Sequence, residues 1–398
     1  MSLLSYEGAL QRVRNGIQPL SRVERVDLRG AIGRILAQEI VGTVDHPPFD
    51  NSGVDGYAVA ESPRLNHPIP VLGQIVAGGP SMWLSGGCAL RVLTGGALPP
   101  NTYAVVMQED VEPVIGRIRV KAGVRKDENI RRQGDDFRRG DLLLKPGQPL
   151  NSGAIALLAS QGILEPEVFE LPSVGILTTG DELVSIETEP AASQLRDSNQ
   201  ELLAAALAKV GVTKIVRRRV RDDGPATEEA LTELATDTDL IVASGGASVG
   251  DFDFLRSSLE KIGEIDFHGI SVRPGKPTMF GRVGNTPVFG LPGNPSSTFV
   301  CFQLFVAEAI RRLASRSSPE SIWVPARFRG KISPTQRDHF ERVLIVSLGG
   351  ELFADGLHSE NSQGLKACAV CNGLARIPGA LSMAEPVVEP IVQVLLID

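Results

Sequence analysis

Long apolar runs are missing from this chain. The longest, Phe299–Ala309, is interrupted by Gln303 and Glu308. It suits a buried helix and falls well short of the roughly 20 apolar residues of a membrane span. Met1-Ser2-Leu3-Leu4-Ser5 is too short an apolar stretch for a secretion signal, and Glu7 follows at once. A cytoplasmic protein with no membrane partner is therefore expected. Basic excess is also missing: 40 Lys and Arg face 47 Asp and Glu, a formal charge of −7. That balance excludes a general nucleic-acid binder, which needs a basic face, and leaves room only for a local basic pocket. Cysteine is scarce, with four residues, as a reducing compartment allows. Cys368-x-x-Cys371 invites a redox or zinc reading, but no second pair completes a tetrahedral site and His358 is the only histidine nearby. The alternative is two small packed hydrophobes. Neither a G-x-G-x-x-G dinucleotide fingerprint nor a G-x-x-x-x-G-K-[ST] phosphate loop occurs.

What the chain has in quantity is glycine (42) and proline (27), enough for many turns in a globular composition that is 42% apolar. Its 398 residues imply roughly two to four domains. The first 40 residues read as helical: Tyr6, Ala9, Leu10 and Val13 share a face, and Ala31, Ile35 and Leu36 continue a second amphipathic segment. From Pro47 to about Gly140 short strands and turns take over, as in 69–76 and 116–120. Residues 150–162 return to helix and end at Gly162. A helical module (1–46 and 141–170) interrupted by an all-β insertion (47–140) follows.

Residues 171–318 alternate strand and helix: strands at 174–178, 212–220, 239–244, near 265–272 and at 286–291, and helices after Asn199 and at 225–236, 252–262 and 296–313. Such alternation means βαβ crossovers and a mostly parallel, three-layer sheet. After Pro319 the chain is strand-rich again, which makes 319–398 a small C-terminal β domain. The fold class is multidomain α/β plus β.

Four polar loops follow the apolar runs of the α/β segment: T-T-G-D-E-L (178–183), S-G-G-A-S-V-G-D-F-D (244–253), R-P-G-K-P (273–277) and L-P-G-N-P-S-S (291–297). In an open α/β sheet ligands bind outside the carboxyl ends of the strands, so the four form one composite site. Its two halves are chemically opposite. Asp181, Glu182, Asp222, Asp223, Asp251 and Asp253 supply carboxylates that repel one another unless a cation relieves them, and an oxygen-only set selects Mg2+ or Ca2+. Helix capping is the other reading of single aspartates, Asp251 and Asp253 especially. The second half suits an oxyanion. Gly245, Gly246 and Ser248 lie between strand and helix, where backbone amides cradle anions. Arg273, Lys276, Ser297 and the Pro292-Gly293-Asn294-Pro295 turn add cations, a hydroxyl and backbone donors. A plain turn ending in a proline at the first helical position explains only the backbone of the last loop.

At these residues the chain resembles the MoeA family, which is similar to the E domain of gephyrin. P-P-F-D-N-S-G-V-D-G-Y-A (47–58), T-G-G-A-L-P-P (94–100), V-V-M-Q-E-D-V (105–111) and N-I-R-R-Q-G-D-D (129–136) carry the likeness over nearly the whole chain. The resemblance implies an elongated, L-shaped subunit and a homodimer whose active site joins the α/β domain of one copy to the β insertion of the other. It implies Mg2+-dependent insertion of molybdate into adenylylated molybdopterin, with release of AMP. A molybdopterin adenylyltransferase upstream and molybdoenzyme maturation proteins downstream are the implied partners. Carried over residue by residue, Asp55, Thr94 and Asp136 belong to the inserted domain's share of the site, although Asp55 is also placed as a turn residue. Glu182 and Asp222 belong to the metal or pterin phosphate, Asp253 to metal and molybdate, and Ser248, Arg273, Lys276 and Ser297 to molybdate. Gly269, Ala367 and Asn101-Thr102-Tyr103 depart from the family pattern, and Arg337 and Arg342 read equally as site charges and as solvated strand residues. Two other functions remain: a non-catalytic dimeric scaffold, and a pterin-adenylylating α/β protein, whose stand-alone forms lack the N-terminal modules.

Overall fold

The computed structural model describes residues 3–80, 82–245, 254–315, 321–357, 364–383 and 388–397. The chain forms two compact units, one of residues 1–37, 147–151 and 165–398, the other of 38–146 and 152–164. Among the described residues no helix is long and apolar enough to cross a membrane.

The larger unit is built on a six-stranded sheet. Its strands are β1 (Ser173–Thr179), β2 (Lys214–Val220), β3 (Leu240–Ser244), β4 (Glu264–His268), β6 (Met279–Val283) and β7 (Thr286–Leu291), and β5 (Val272–Arg273) lies outside it. The order is β2-β1-β3-β7-β6-β4, with β2, β1, β3 and β7 parallel and β6 antiparallel to both neighbours. Alternation along the strands fills two layers, since successive side chains point to opposite faces. Val174, Ile176, Leu240 and Val242 join one core with helix α2 (Ser198–Lys209), while Leu177, Ile241 and Ala243 join another with α3 (Gly224–Asp237) and α4 (Phe254–Ile262). Both faces are thus covered, as a parallel sheet requires. The expected last helix runs as α5 (Pro295–Cys301), a π-helical turn (Phe302–Val306) and α6 (Ala307–Leu313).

The C-terminal strands β8 (Trp323–Arg329), β9 (Asp338–Leu348), β10 (Glu351–Gly356), β11 (Gly373–Ile377) and β12 (Ile391–Leu396) pair in the cyclic order β9-β10-β8-β12-β11, and β11 pairs again with β9. The small β domain is therefore a closed barrel around Phe328, Val343, Ala354, Ala375 and Val394. Helix α1 (Tyr6–Gly16), capped by the Ser5 hydroxyl, joins it to the α/β core. The Tyr6 ring meets Phe305 at 5.8 Å, Trp323 at 6.2 Å and Phe340 at 5.1 Å between centroids. Burial pushes the Tyr6 hydroxyl up to about 12.

The second expected N-terminal helix does not form. After a single 3-10 turn (Leu28–Gly30) the chain runs extended: Ile35 bridges to Pro149 and Leu36 to Val168. Two consecutive residues of an extended segment face opposite ways, so both are buried without a helical face. Gly33, at φ +75°, breaks any helical path between Ala31 and Ile35. Helix Ser152–Ser160 forms as expected, with Gly162 at φ +71° after it.

The smaller unit holds a second six-stranded sheet, in the order Ala104–Met107, Gly56–Val59, Ala89–Val92, Pro68–Ile75, Arg117–Val120, Val111–Val114. The strand Gly56–Val59 packs so closely on its neighbour that a Cβ on Gly56 would stand 2.1 Å from the Val106 carbonyl oxygen.

Phe305 is fully buried where α1, the π turn and the α/β core meet. Phe305→Ala should lower the stability of this unit by about 3–5 kcal/mol, seen as an earlier urea midpoint. An unchanged midpoint would show that the ring does not anchor α1.

Candidate active site

The ends of β1, β2, β3 and β7 stand level: Thr179 pairs with Val220, and Thr178 with Ser244, which in turn pairs with Leu291. Three of the four loops therefore leave from one edge. The fourth, R-P-G-K-P, lies in the β4–β6 connection on that same edge, because β4 ends where β6 begins, His268 facing Met279. Gly245 sits at φ +97°, and a Cβ there would come within 2.3 Å of the Thr179 carbonyl oxygen. Only glycine lets β3 turn away from β1 at this point.

On the acidic side, the Asp222 amide approaches Asp181 Oδ1 at 3.4 Å, which brings the loops after β1 and β2 together. Glu182 lies back over Gly180 and is exposed. Gly246, Ser248 and Asp253 lie outside the described residues. Among the described residues no three His, Cys, Asp or Glu side chains cluster as a metal site.

The L-P-G-N-P loop is held partly by Asn199 and Thr298, to which the sequence assigned no role at the site. Asn199 Nδ2, from the first turn of α2, donates to the Gly293 carbonyl at 2.7 Å and to Ser244 Oγ at 2.9 Å. Thr298 Oγ1 donates to the Pro292 carbonyl at 2.6 Å. Asn294 Oδ1 accepts the Ser296 amide at 3.0 Å, and Pro295 opens α5. Asp197 caps α2 through the Gln200 amide and accepts from Thr178 Oγ1 at 2.5 Å.

Arg273, Lys276, Ser296 and Ser297 open onto a cavity of about 650 Å³. Its far wall comes from the barrel and the loop before β9: Lys331, Arg337, His339, Glu341 and Arg342. The link is β5, which leaves the α/β sheet and pairs with β9, Val272 beside Asp338 and Arg273 beside His339. Gly275, at φ +120°, makes the return possible, since a Cβ would stand 2.4 Å from Cys301 Sγ. Burial, and then the neighbouring Arg273 charge, pull the Arg337 guanidinium below its ordinary value. Arg337 Nη1 donates to the Val272 carbonyl at 3.0 Å, and Arg342 Nη1 donates to the Ser296 hydroxyl. Of the two sequence readings of Arg337 and Arg342, the cavity position supports that of site charges. Lys331, His339 and Glu341 went unremarked in the sequence; the period-2 run Arg337, His339, Glu341 was the available signal.

In the smaller unit three motifs form one wall. The Gly95 amide donates to the Ser52 carbonyl at 2.8 Å, Leu98 to Asp50 at 2.9 Å, Gly53 to Asn129 at 2.9 Å and Gly134 to Pro47 at 3.0 Å. Asp50 Oδ1 accepts the Gln133 amide at 2.8 Å and Oδ2 pairs with Arg132. Asp55 Oδ1 accepts both the amide and the hydroxyl of Thr94, each at 2.7 Å. Asp136 is exposed, its amide donating to the His46 carbonyl at 3.0 Å.

Residues 4–162 match the MoeA N-terminal region (domain I and II), and residues 175–312 match a family described as "Probable molybdopterin binding domain". The molybdopterin molybdenumtransferase of Haemophilus influenzae is 37% identical over 297 residues, 74% of this chain and 73% of its own length. That of Staphylococcus aureus (strain COL) is 31% identical over 382 residues, 93% of this chain and 90% of its own. The chain belongs to the MoeA family. A molybdopterin biosynthesis MoeA protein of Pyrococcus horikoshii shares the fold over all of both chains, with a TM-score of 0.83 and 28% identity. As a MoeA protein the chain is an enzyme of molybdenum cofactor biosynthesis, a molybdopterin molybdenumtransferase.

The Thr94 amide, and then its hydroxyl, hold the Asp55 carboxyl below its usual range. These bonds favour the ionised form, so their contribution is complete above the ordinary Asp value and is lost as pH falls through the lowered one. Thr94→Val keeps the amide and removes the hydroxyl. The Asp55 titration, followed by carboxyl NMR, should then move up toward the ordinary value. An unmoved titration would mean that the hydroxyl does not bond the charged carboxylate.

Proposed function

We propose that the cleft inserts molybdate into the dithiolene of adenylylated molybdopterin, with Mg2+ and with release of AMP. The observation that carries this reading is the cavity that gathers Arg273, Lys276, Lys331, Arg337 and Arg342 with the Ser296 and Ser297 hydroxyls. A small, doubly charged oxyanion matches that set of cationic and hydroxyl donors.

Asp181, Glu182 and Asp222, which follow β1 and β2, stand at the other end of the same edge. Neighbouring strands lie about 4.8 Å apart, so the loop after β1 and the β4–β6 connection are separated by roughly 15–20 Å. One small ion cannot touch both, whereas an extended pterin nucleotide spans them. Its diphosphate belongs at the acidic end, with a cation between. The oxygen-only donors there fit Mg2+, which commonly takes one or two protein carboxylates and completes its shell with substrate phosphates and water. Glu182, Asp222 and Asp253 would hold it, and when bound it neutralises phosphate charge. The protein's own work is placement. Lys276 and Arg273 draw the oxyanion to the basic end, Ser297 orients it, and the Asn199–Ser244–Thr298 hydrogen bonds keep the intervening loop from shifting. Holding two reactants in register lowers the entropic part of the barrier.

The proposal includes a homodimer working in the cytoplasm, where the Asp55, Thr94 and Asp136 wall contributed by a second copy serves the same substrate. The free thiols Cys88, Cys301 and Cys368 suit that reducing compartment.

Incubation with adenylylated molybdopterin, Mg2+ and molybdate should release AMP and yield a molybdenum-loaded pterin. Lys276→Ala should slow this by about 100-fold or more, the typical cost of removing one preorganised charge donor. A wild-type rate in that variant would remove Lys276 from the site. Light scattering at micromolar concentration should give the mass of a dimer, and a fully active monomer would sink the shared-site part of the proposal.

A further inference from the structure

The cationic cavity contains one pair that does not belong to an anion trap. His339 and Glu341 alternate along β9 and both line the cavity, with His339 Nε2 3.1 Å from Glu341 Oε2. His339 is 8% exposed, and Glu341 and Arg342 are each 5% exposed. Among the described residues three of their buried atoms have no hydrogen-bond partner: His339 Nδ1, Glu341 Oε1 and Arg342 Nε. Buried polar atoms are nearly always bonded, so three orphans around one cavity mark a place where something else completes the bonding. A carboxylate there weakens the attraction for a dianion, so a purely anion-binding role does not account for it.

The chemistry proposed above has a step that needs such a pair. Joining molybdate to a dithiol forms two Mo–S bonds and breaks one Mo–O bond, and the departing oxide must collect two protons to leave as water. Molybdate dianion plus dithiol gives a dianionic trioxo dithiolene complex plus water. Molybdenum keeps its oxidation state, so no oxidant or reductant enters, and the two thiol protons balance the water formed. Arginine, which keeps its proton, is a poor carrier for those protons. Imidazole is the side chain suited to carry them near neutral pH.

We propose that His339, paired with Glu341 at the wall of the oxyanion cavity, carries protons from the dithiol to the oxygen that leaves molybdate. Protonated His339 gives the first proton to the departing oxygen. The first thiol restores it, and the second thiol proton completes the water. Glu341 is the counter-charge of the imidazolium among Arg273, directly beside His339 in the β5–β9 pair, and Lys276, Lys331, Arg337 and Arg342. Asp338, next along the strand, is engaged by Arg376 instead. Arg342 is set by Glu341 at 3.7 Å and by the Ser296 hydroxyl, which keeps it fixed beside the oxyanion while the proton moves.

This role rests on the molybdate reading of the cavity, and one experiment separates the two. Single-turnover loading of adenylylated molybdopterin with molybdate is followed between about pH 5 and 8, the range over which imidazole changes charge. Molybdate binding is measured alongside by calorimetry, and folding by thermal melting. In the wild-type protein, loading should slow as pH rises. In His339→Gln, loading should fall by about 100-fold and lose that dependence, as for removal of a general acid. Molybdate affinity should stay within about threefold of wild type. Glu341→Gln, which keeps shape and removes the counter-charge, should move the descending limb to lower pH. A wild-type protein that neither binds nor inserts molybdate overturns the molybdate reading, and this role with it. An active wild type matched in rate and pH profile by His339→Gln overturns only the proton-carrying role. So does a His339→Gln whose slower loading is wholly explained by lost affinity.

Discussion

Two residues hold the site together. Val272 and Arg273 leave the α/β sheet between its last two antiparallel strands and pair with the first long strand of the barrel. Without that parallel pairing, R-P-G-K-P would be a surface connection and Arg337, His339, Glu341 and Arg342 would belong to a separate small domain. With it, the cations of one sheet and the charges of another enclose one cavity. The backbone can make the detour only because Gly275 adopts a left-handed conformation with Cys301 Sγ where its Cβ would be.

Crowding arginines and lysines in this way has a cost that the surroundings meet unevenly. Arg337 carries the mark of it, its affinity for the proton lowered by burial and by Arg273. Elsewhere in the unit several arginines pair with acids. Arg22, for example, spans Glu170 and Asp239, and these contacts tie its guanidinium more firmly to its proton. Among the described residues Arg337 has no such acidic mate and lies beside Arg273, an arrangement that favours a negative ligand. The acidic loops are the mirror case, with Asp181 and Asp222 brought together through a backbone amide. Each half of the edge is electrostatically incomplete in the opposite sense, which suits a ligand that carries charge at both ends.

Much of this was legible in the residues. Strand and helix alternation from 171 to 315 placed most elements within a few residues, and the loops after β1, β2, β3 and β7 do leave from one edge. The spacing of Ala31, Ile35 and Leu36 misled, because a burial pattern over six residues is shared by a helix and by an extended segment covered on both sides. The partnership of R-P-G-K-P with Q-R-D-H-F-E-R was out of reach for a different reason. Strand pairing across more than sixty residues leaves no periodic trace in either segment, so Arg337 and Arg342 could be weighed but not placed, and His339 and Glu341 drew no notice. Asn199 was hidden likewise: one polar residue in the first turn of a helix says nothing of the carbonyl it secures ninety residues away.

The closure of the barrel has an implication for how the enzyme comes to exist. β9, which carries half of the oxyanion cavity, is fixed on its far side by β11, and the ring is complete only when β12 enters between β11 and β8. Synthesis runs from the N-terminus, and domains form as they emerge. The α/β sheet, with its glycine turns and acidic loops, can therefore be assembled on a ribosome that has yet to deliver the strands that finish the basic cavity. A nascent chain therefore holds Arg273, Lys276 and Ser297, one wall of the basic cavity, before β9 brings the wall that faces them.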